Sequence, residues 1–140
     1  MVKLELYSVK ENRVQLQGGI NWGFSEGHVC VADAYIALTK RFFENNDGFF
    51  PEQGSVITVE WDDGTIMECL LEGTQEIGGM IFPKQISTSG DKSTLGLYLR
   101  RRLGVLNTHR ISMDDLNTYG RNDIDIRYIS GLRYFFDFSV

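Results

Sequence analysis

Catalysis in a chain this size would have to be built from histidines, cysteines, carboxylates and lysines, and their spacing here does not build it. His28 and His109 stand in His-Val-Cys and His-Arg-Ile, so neither belongs to a His-x-Lys nucleophile motif or to a pair of metal ligands. No Asp or Glu has a Lys at the second position after it, which removes the arrangement that holds Mg²⁺ and orients water in restriction-type nuclease cores. Cys30 and Cys69 lie far apart with no His or Cys at ligand spacing, and read as buried reduced thiols. Gly90 to Thr94, GDKST, has the tail of a phosphate loop, but Asp91 separates Gly from Lys and the upstream Gly is missing, so it reads as a helix cap. Asp62, Asp63 and Glu68 fit a hairpin turn followed by a solvent-facing strand residue. The expectation is no enzyme activity, no cofactor and no metal site.

The groups that remain are suited to binding. GGINWGFSEGH, Gly18 to His28, gathers four glycines with Asn21, Trp22, Ser25, Glu26 and His28 and shows no apolar period, while Arg13 and Gln15 stand just upstream. A net charge of -5 speaks against a phosphate partner, but the charge is segregated. Between Arg41 and Lys84 there is no basic residue and nine acids. From Lys84 to Arg110 six basic residues (Lys84, Lys92, Arg100, Arg101, Arg102, Arg110) face the single acid Asp91. This pattern predicts a bipolar molecule with one anion-seeking side, although ordinary solvated faces would give the same composition.

The elements that must carry these groups are mostly strands. LELYSV alternates, AYIAL is a short apolar run, and SVITVEW leads through the Asp62-Asp63-Gly64 turn into TIMECLL. IDIRYI turns at Ser130-Gly131 into LRYFFDF, which makes at least six strands. Thr39 caps a helix KRFFEN that stops at Asn46-Asp47-Gly48, and Ser93 caps TLGLYLRRRLG, which stops at Gly104. In the second helix Leu95, Leu99 and Leu103 with Tyr98 form the buried stripe, leaving Arg100 and Arg101 off it. A shorter helical turn starts at Ser112 and ends near Tyr119-Gly120. At 140 residues and 42% hydrophobic, the chain should be one domain, residues 1 to 140, of mainly β (α+β) class, its strands forming a closed or nearly closed barrel. It has neither a run of about eighteen apolar residues nor a signal-peptide pattern, so no membrane partner and a cytoplasmic location are expected.

In order along the chain, GINWG (Gly19 to Gly23), AYIALTKRFFENNDGFFP (Ala34 to Pro51), DDG, LGLYLRRRLG (Leu95 to Gly104), DLNTYGRND (Asp115 to Asp123) and DFS (Asp137 to Ser139) resemble the DNA-recognition domain of NgoFVII-type restriction endonucleases. That resemblance implies the seven-stranded pseudobarrel of plant B-three domains with two helices, shared with the recognition domains of EcoRII and BfiI. It implies sequence-specific binding of double-stranded DNA through two arms in the major groove, with no cleavage by this chain alone. A nuclease domain or subunit is the further expected partner, unless the chain is a stand-alone reader.

On this reading the first arm carries Arg13, Gln15, Asn21, Trp22, Ser25, Glu26 and His28, with Asn suited to adenine, Glu to the cytosine amino group and Arg to guanine. Trp22 is also the residue best suited to anchor the loop by tucking into the barrel. The second arm falls between Glu72 and Lys92, with Gln75, Lys84, Gln85, Ser87, Thr88, Ser89 and Lys92 as readers, although a Gly-Gly hairpin and a helix cap would look similar. Lys40, Arg41, Arg100, Arg101, Arg102 and Arg121 are the expected phosphate clamps. Phe24-Ser25-Glu26 follows Asn-Trp-Gly where the family suggests a basic residue. The alternative is a carbohydrate- or peptide-binding β-barrel with Trp22, Phe24 and Tyr119 as a stacking platform.

Overall fold

Alternating apolar residues over Val56–Trp61, the tight turn at Gly64 (φ 88°) and a second alternating run over Ile66–Glu72 give the antiparallel pair β3–β4 on which the molecule is built. The computed structural model describes residues 2–140. Around that pair lie β1 (Val2–Glu5), β2 (Ile36–Ala37), β7 (Gln85–Thr88), β8 (Asp123–Ser130) and β9 (Arg133–Asp137). They form one seven-stranded sheet in the order β1-β8-β9-β3-β4-β7-β2. Every pairing is antiparallel except β3 with β9. The two edge strands, β1 and β2, curl round to approach each other without pairing, so the sheet is a nearly closed pseudobarrel with a seam. A separate hairpin, β5 (Gln75–Ile77) and β6 (Met80–Phe82), stands outside this sheet.

The inward side chains of the strands make the core: Leu4, Ile36, Ile57, Val59, Trp61, Leu71, Ile86, Ile124, Ile126 and Phe136 are all buried. Helix α1 (Lys40–Asn45) closes one end with Phe42 and Phe43, and its first turn is capped by Thr39 Oγ1 accepting from the Phe42 N–H at 3.2 Å. Helix α3 (Met113–Tyr119) begins with a capping box between Ser112 and Asp115 and ends at Gly120 (φ 108°). The Asp62-to-Gly64 turn and both of these helices follow the sequence pattern, the seven strands match what the family resemblance implies, and there is one more helix than the two full ones expected.

Helix α2 (Ser93–Leu103) departs from expectation at both its start and its covered face. Ser93 lies inside the first turn, and the cap is Asp91, whose Oδ1 accepts from the Ser93 N–H at 2.9 Å and the Ser93 hydroxyl at 2.6 Å. Thr88 supports it, its Oγ1 accepting from the Leu95 N–H at 3.2 Å. Leu95, Tyr98 and Leu99 are buried as the stripe predicts, yet Gly96 and Arg100 are buried too. A second face of α2 is covered by the stretch from Ile20 to Ala32. A Cβ at Gly96 would sit 1.7 Å from the Ala32 carbonyl oxygen, so only glycine permits this approach. Cys30 and Cys69 are both free, and burial pushes the Cys69 thiol up to about 12.

Candidate nucleic-acid interface

Two short hairpins project from the barrel on either side of one strip of chain. The first is the turn Ser8–Arg13, closed by the Ser8 N–H donating to the Arg13 carbonyl (2.9 Å) and the Arg13 N–H to the Ser8 carbonyl (3.3 Å). Asn12 takes a positive φ of 54° to make it, and Lys10, Glu11, Asn12 and Arg13 stand exposed on it. The second is β5–β6, joined by Gly78 (φ 58°) and Gly79 (φ 82°), a two-residue turn of the kind that matches strand twist. The Gln75 side-chain amide fixes it to the barrel by donating to the carbonyls of Leu38 (2.8 Å) and Pro83 (2.7 Å), and Phe82 packs on Phe43 at 4.7 Å between ring centroids.

Between them runs Ile36–Arg41. Its Ala37, Thr39 and Arg41 line a seam cavity of about 400 Å³ together with Ser8, Val9 and Lys10 of the first hairpin. Leu38 holds the second hairpin. A neighbouring depression is lined by Glu11, Arg13, Gln15, Leu16, Gln17, Gly18 and Arg110. Gln15 and Gly18 border both, so Lys10, Arg13, Arg41 and Arg110 share one continuous surface. Arg41 makes an exposed ion pair with Glu5 at 2.9 Å, and Arg110 lies over the Phe24 ring at 4.6 Å. Lys10, Lys40 and Lys84 have no carboxylate partner within 4.0 Å among the described residues. The Lys84 backbone pairs with this strip, its carbonyl accepting from the Leu38 N–H at 2.8 Å, while its side chain runs past Gly73.

Several expected DNA contacts are occupied within the protein. Asn21 is fully buried: its side-chain amide donates to the carbonyls of Gln15 and Ile111, each at 2.8 Å, and its Oδ1 accepts from the Ile111 N–H at 2.9 Å. Arg100 is equally buried, donating to the carbonyls of His109 (2.9 Å), Gly96 (3.1 Å) and Ile20 (3.5 Å). Neither side chain reaches the surface, which corrects their assignment as adenine reader and phosphate clamp. Burial pulls the Arg100 guanidinium below its ordinary value.

Arg102 donates two bonds to Asp62 (3.1 and 2.9 Å) and one each to the hydroxyls of Tyr98 (2.6 Å) and Tyr119 (2.9 Å), and these bonds outweigh burial to raise its pKa. Arg101 is exposed but lies over Tyr98 beside Asp63 at the β3–β4 turn. That turn is at the opposite end of the seven-residue β4 from the second hairpin, about 20 Å of strand away. Arg121 is held by Asp123 (3.0 Å) and Asp125 (2.6 Å). The basic run Lys84–Arg110 therefore does not form one anion-seeking face.

In the second arm, Glu72 Oε1 accepts from Lys92 Nζ (2.6 Å), Ser87 Oγ (2.7 Å) and Gln85 Nε2 (3.1 Å). Burial works to raise Glu72, but these bonds prevail and hold it below its ordinary value. Ser87 and Thr88 are buried, Ser87 in this cluster and Thr88 in capping α2, which corrects their assignment as base readers. Lys84 and Ser89 are exposed. In the first arm, Arg13 and Glu26 are exposed and Gln15 is half-buried on the seam. Ser25 Oγ donates to the Trp22 carbonyl at 2.8 Å, and His28 Nδ1 pairs with Asp33 at 2.8 Å. Trp22 is half-buried, edge-on to His28 (4.4 Å) and Tyr35 (5.5 Å), an anchor for its loop.

The polarity of the sequence gave no reason to select Lys10 or the apolar hairpin residues Met80 and Ile81, which are 63% and 57% exposed. The Gly78-Gly79 pair, flanked by Ile77 on one side and by Ile81 and Phe82 on the other, was the available signal for that hairpin.

No described helix is long and apolar enough to cross a membrane. Among the described residues no group of three or more His, Cys, Asp or Glu is placed to hold a metal. A family model described as NgoFVII C-terminal B3-like DNA-binding domain matches residues 2–130. No curated protein matches the chain.

Proposed function

The chain belongs to the NgoFVII C-terminal B3-like DNA-binding domain family, and on that premise we propose that it is a sequence-specific reader of double-stranded DNA whose two hairpins enter the major groove. In this reading residues 1 to 140 act as one domain, the target-recognition part of a restriction endonuclease. It works in the cytoplasm with a nuclease domain or subunit, and cuts nothing by itself.

The observation that carries the reading is the pair of hairpins, Ser8–Arg13 and β5–β6, flanking the strip Ile36–Arg41, with Lys10, Arg13, Arg41 and Arg110 on one continuous surface beside it. A chain of net charge -5 needs exposed cations gathered on one side to approach a polyanion. Lys40, Arg41 and Lys84 are suited to phosphates and fix register without reading sequence. Arg13 on the first hairpin and Met80 and Ile81 on the second are suited to base edges, the apolar pair to thymine methyl groups, as are Gln15 just beyond the first hairpin and the exposed Glu26 of the Gly18–His28 loop. Ser25, His28, Gln75, Gln85 and Lys92 are engaged inside the protein and position the arms.

Selection from a randomised duplex pool, followed by salt titration of the selected and an unselected duplex, tests the reading. It predicts an enriched site and an affinity that falls with salt on both duplexes. A pool that stays random, or binding indifferent to salt, would overturn it.

A further inference from the structure

The seam cavity between β1 and β2 has features that gripping a regular duplex does not require. It holds about 400 Å³, within the size range of small-molecule sites, and its wall includes Tyr7, Tyr35 and the aliphatic Ile20 and Ile36. The Tyr7 and Tyr35 hydroxyls and the Gln15 amide make no side-chain hydrogen bond among the described residues. An aromatic and aliphatic wall bearing hydroxyls and an amide that no other side chain engages matches one class of ligand, a planar heterocycle with a hydrogen-bonding edge.

Gly18 keeps the floor open. Its backbone is extended (φ -139°, ψ 177°), a conformation any residue adopts, and a Cβ there would meet the Gln15 amide (Oε1 at 2.9 Å, Cδ at 3.3 Å) and the Tyr35 hydroxyl at 3.4 Å. Glycine at this position answers to the cavity and not to a turn.

Beside the cavity mouth stands Leu16, 50% exposed between Gln15 and Gln17 and next to Arg13 and Arg110. An exposed leucine among cations, on the side where DNA lies, is placed as an apolar wedge for a base stack.

Resting on the duplex-DNA reading above, we propose that the seam cavity receives one nucleobase everted from the bound duplex, with Leu16 filling the place it leaves. The ring stacks on the tyrosines, Gln15 pairs with its exposed edge, and Lys10 and Arg41 at the rim hold the distorted backbone.

The test is a scan of 2-aminopurine through each position of the selected duplex, with anisotropy reporting binding in the same sample. A several-fold fluorescence rise at one position is expected on binding, because the fluorophore brightens when it leaves the stack. Gly18→Leu should abolish the rise while keeping affinity for unselected duplex within about twofold, since phosphate contacts are untouched. Leu16→Ala, at an exposed position that leaves the fold intact, should weaken it. Binding with no rise at any position overturns the proposal and leaves the DNA reading standing, as does a rise that both folded variants retain. Absence of binding overturns the two together.

Discussion

Asn21 Oδ1 lies 3.5 Å from Arg100 Nη2, and both residues are sealed from solvent. The arginine has no carboxylate within 4.0 Å among the described residues. Its charge is met by carbonyl oxygens and by this amide, so the base of the first arm, helix α2 and the Ile111 backbone are clipped together by neutral acceptors.

Asn21→Ala should therefore act on stability. It strands the Ile111 N–H, two carbonyls and part of the guanidinium, and leaving buried groups unmet costs about 1–3 kcal/mol, more beside a charge. Urea unfolding should show a loss of about 2–4 kcal/mol. A fully stable Asn21→Ala protein with relaxed base preference would show that the side chain leaves its site to read DNA.

Arg41→Gln should weaken selected and random duplexes alike and flatten the salt slope by about one unit. Arg102→Met should leave the slope unchanged and lower the unfolding midpoint, because Arg102 is held by Asp62, Tyr98 and Tyr119. Salt titrations of both variants separate the two roles. A slope change for Arg102→Met alone would put DNA on the β3–β4 turn side.

Acid should unfold the protein through its bonded carboxylates. Burial works to raise Glu72, Asp115 and Asp125, but donors prevail in each case: Lys92 and Ser87 for Glu72, the Ser112 backbone and His109 for Asp115, Lys3 and Arg121 for Asp125. Folded values below the unfolded ones mean that this stabilisation is complete above the ordinary carboxylate range and is lost as pH falls below about 5. Urea midpoints taken down through that window should drop, and Glu72→Gln should make the drop shallower. A profile identical to wild type would show that the Glu72 cluster contributes nothing.

Pure protein incubated with supercoiled plasmid, with and without Mg²⁺, should leave it intact. Nicking abolished by a point change within the chain would place a nuclease centre here.

What was legible in the sequence is what local chemistry decides. Thr39 and Ser112 cap helices because their hydroxyls reach N–H groups three residues on, and Asp62-Asp63-Gly64 turns because Gly64 takes a positive φ. Asn21 and Arg100 were misread because their partners are distant in sequence: Ile111 lies 90 residues from Asn21, and Arg100 reaches back to Ile20. The apolar period of α2 marked one buried face, and its other face was signalled only by Gly96, a helix-interior glycine that costs about 1 kcal/mol unless another chain segment comes close. For the interface, sequence polarity selected Gly18–His28 as the first arm, whereas the hairpin that stands out is Ser8–Arg13. Polarity could not separate exposed Arg13 and Lys84 from Ser87 and Thr88, whose hydroxyls serve neighbouring strands and helices.

The central claim, that specificity resides in the two projecting hairpins, is tested most directly by competition titration of selected against random duplex with wild type, Arg13→Ala and a Met80→Ser, Ile81→Ser double variant. A good bidentate base contact discriminates by about 1–3 kcal/mol, so each variant should lose selected-site affinity by about tenfold or more, keep random-duplex affinity within about twofold, and retain its circular dichroism. Equal losses on both duplexes in both folded variants would contradict the account and reduce the hairpins to backbone contacts.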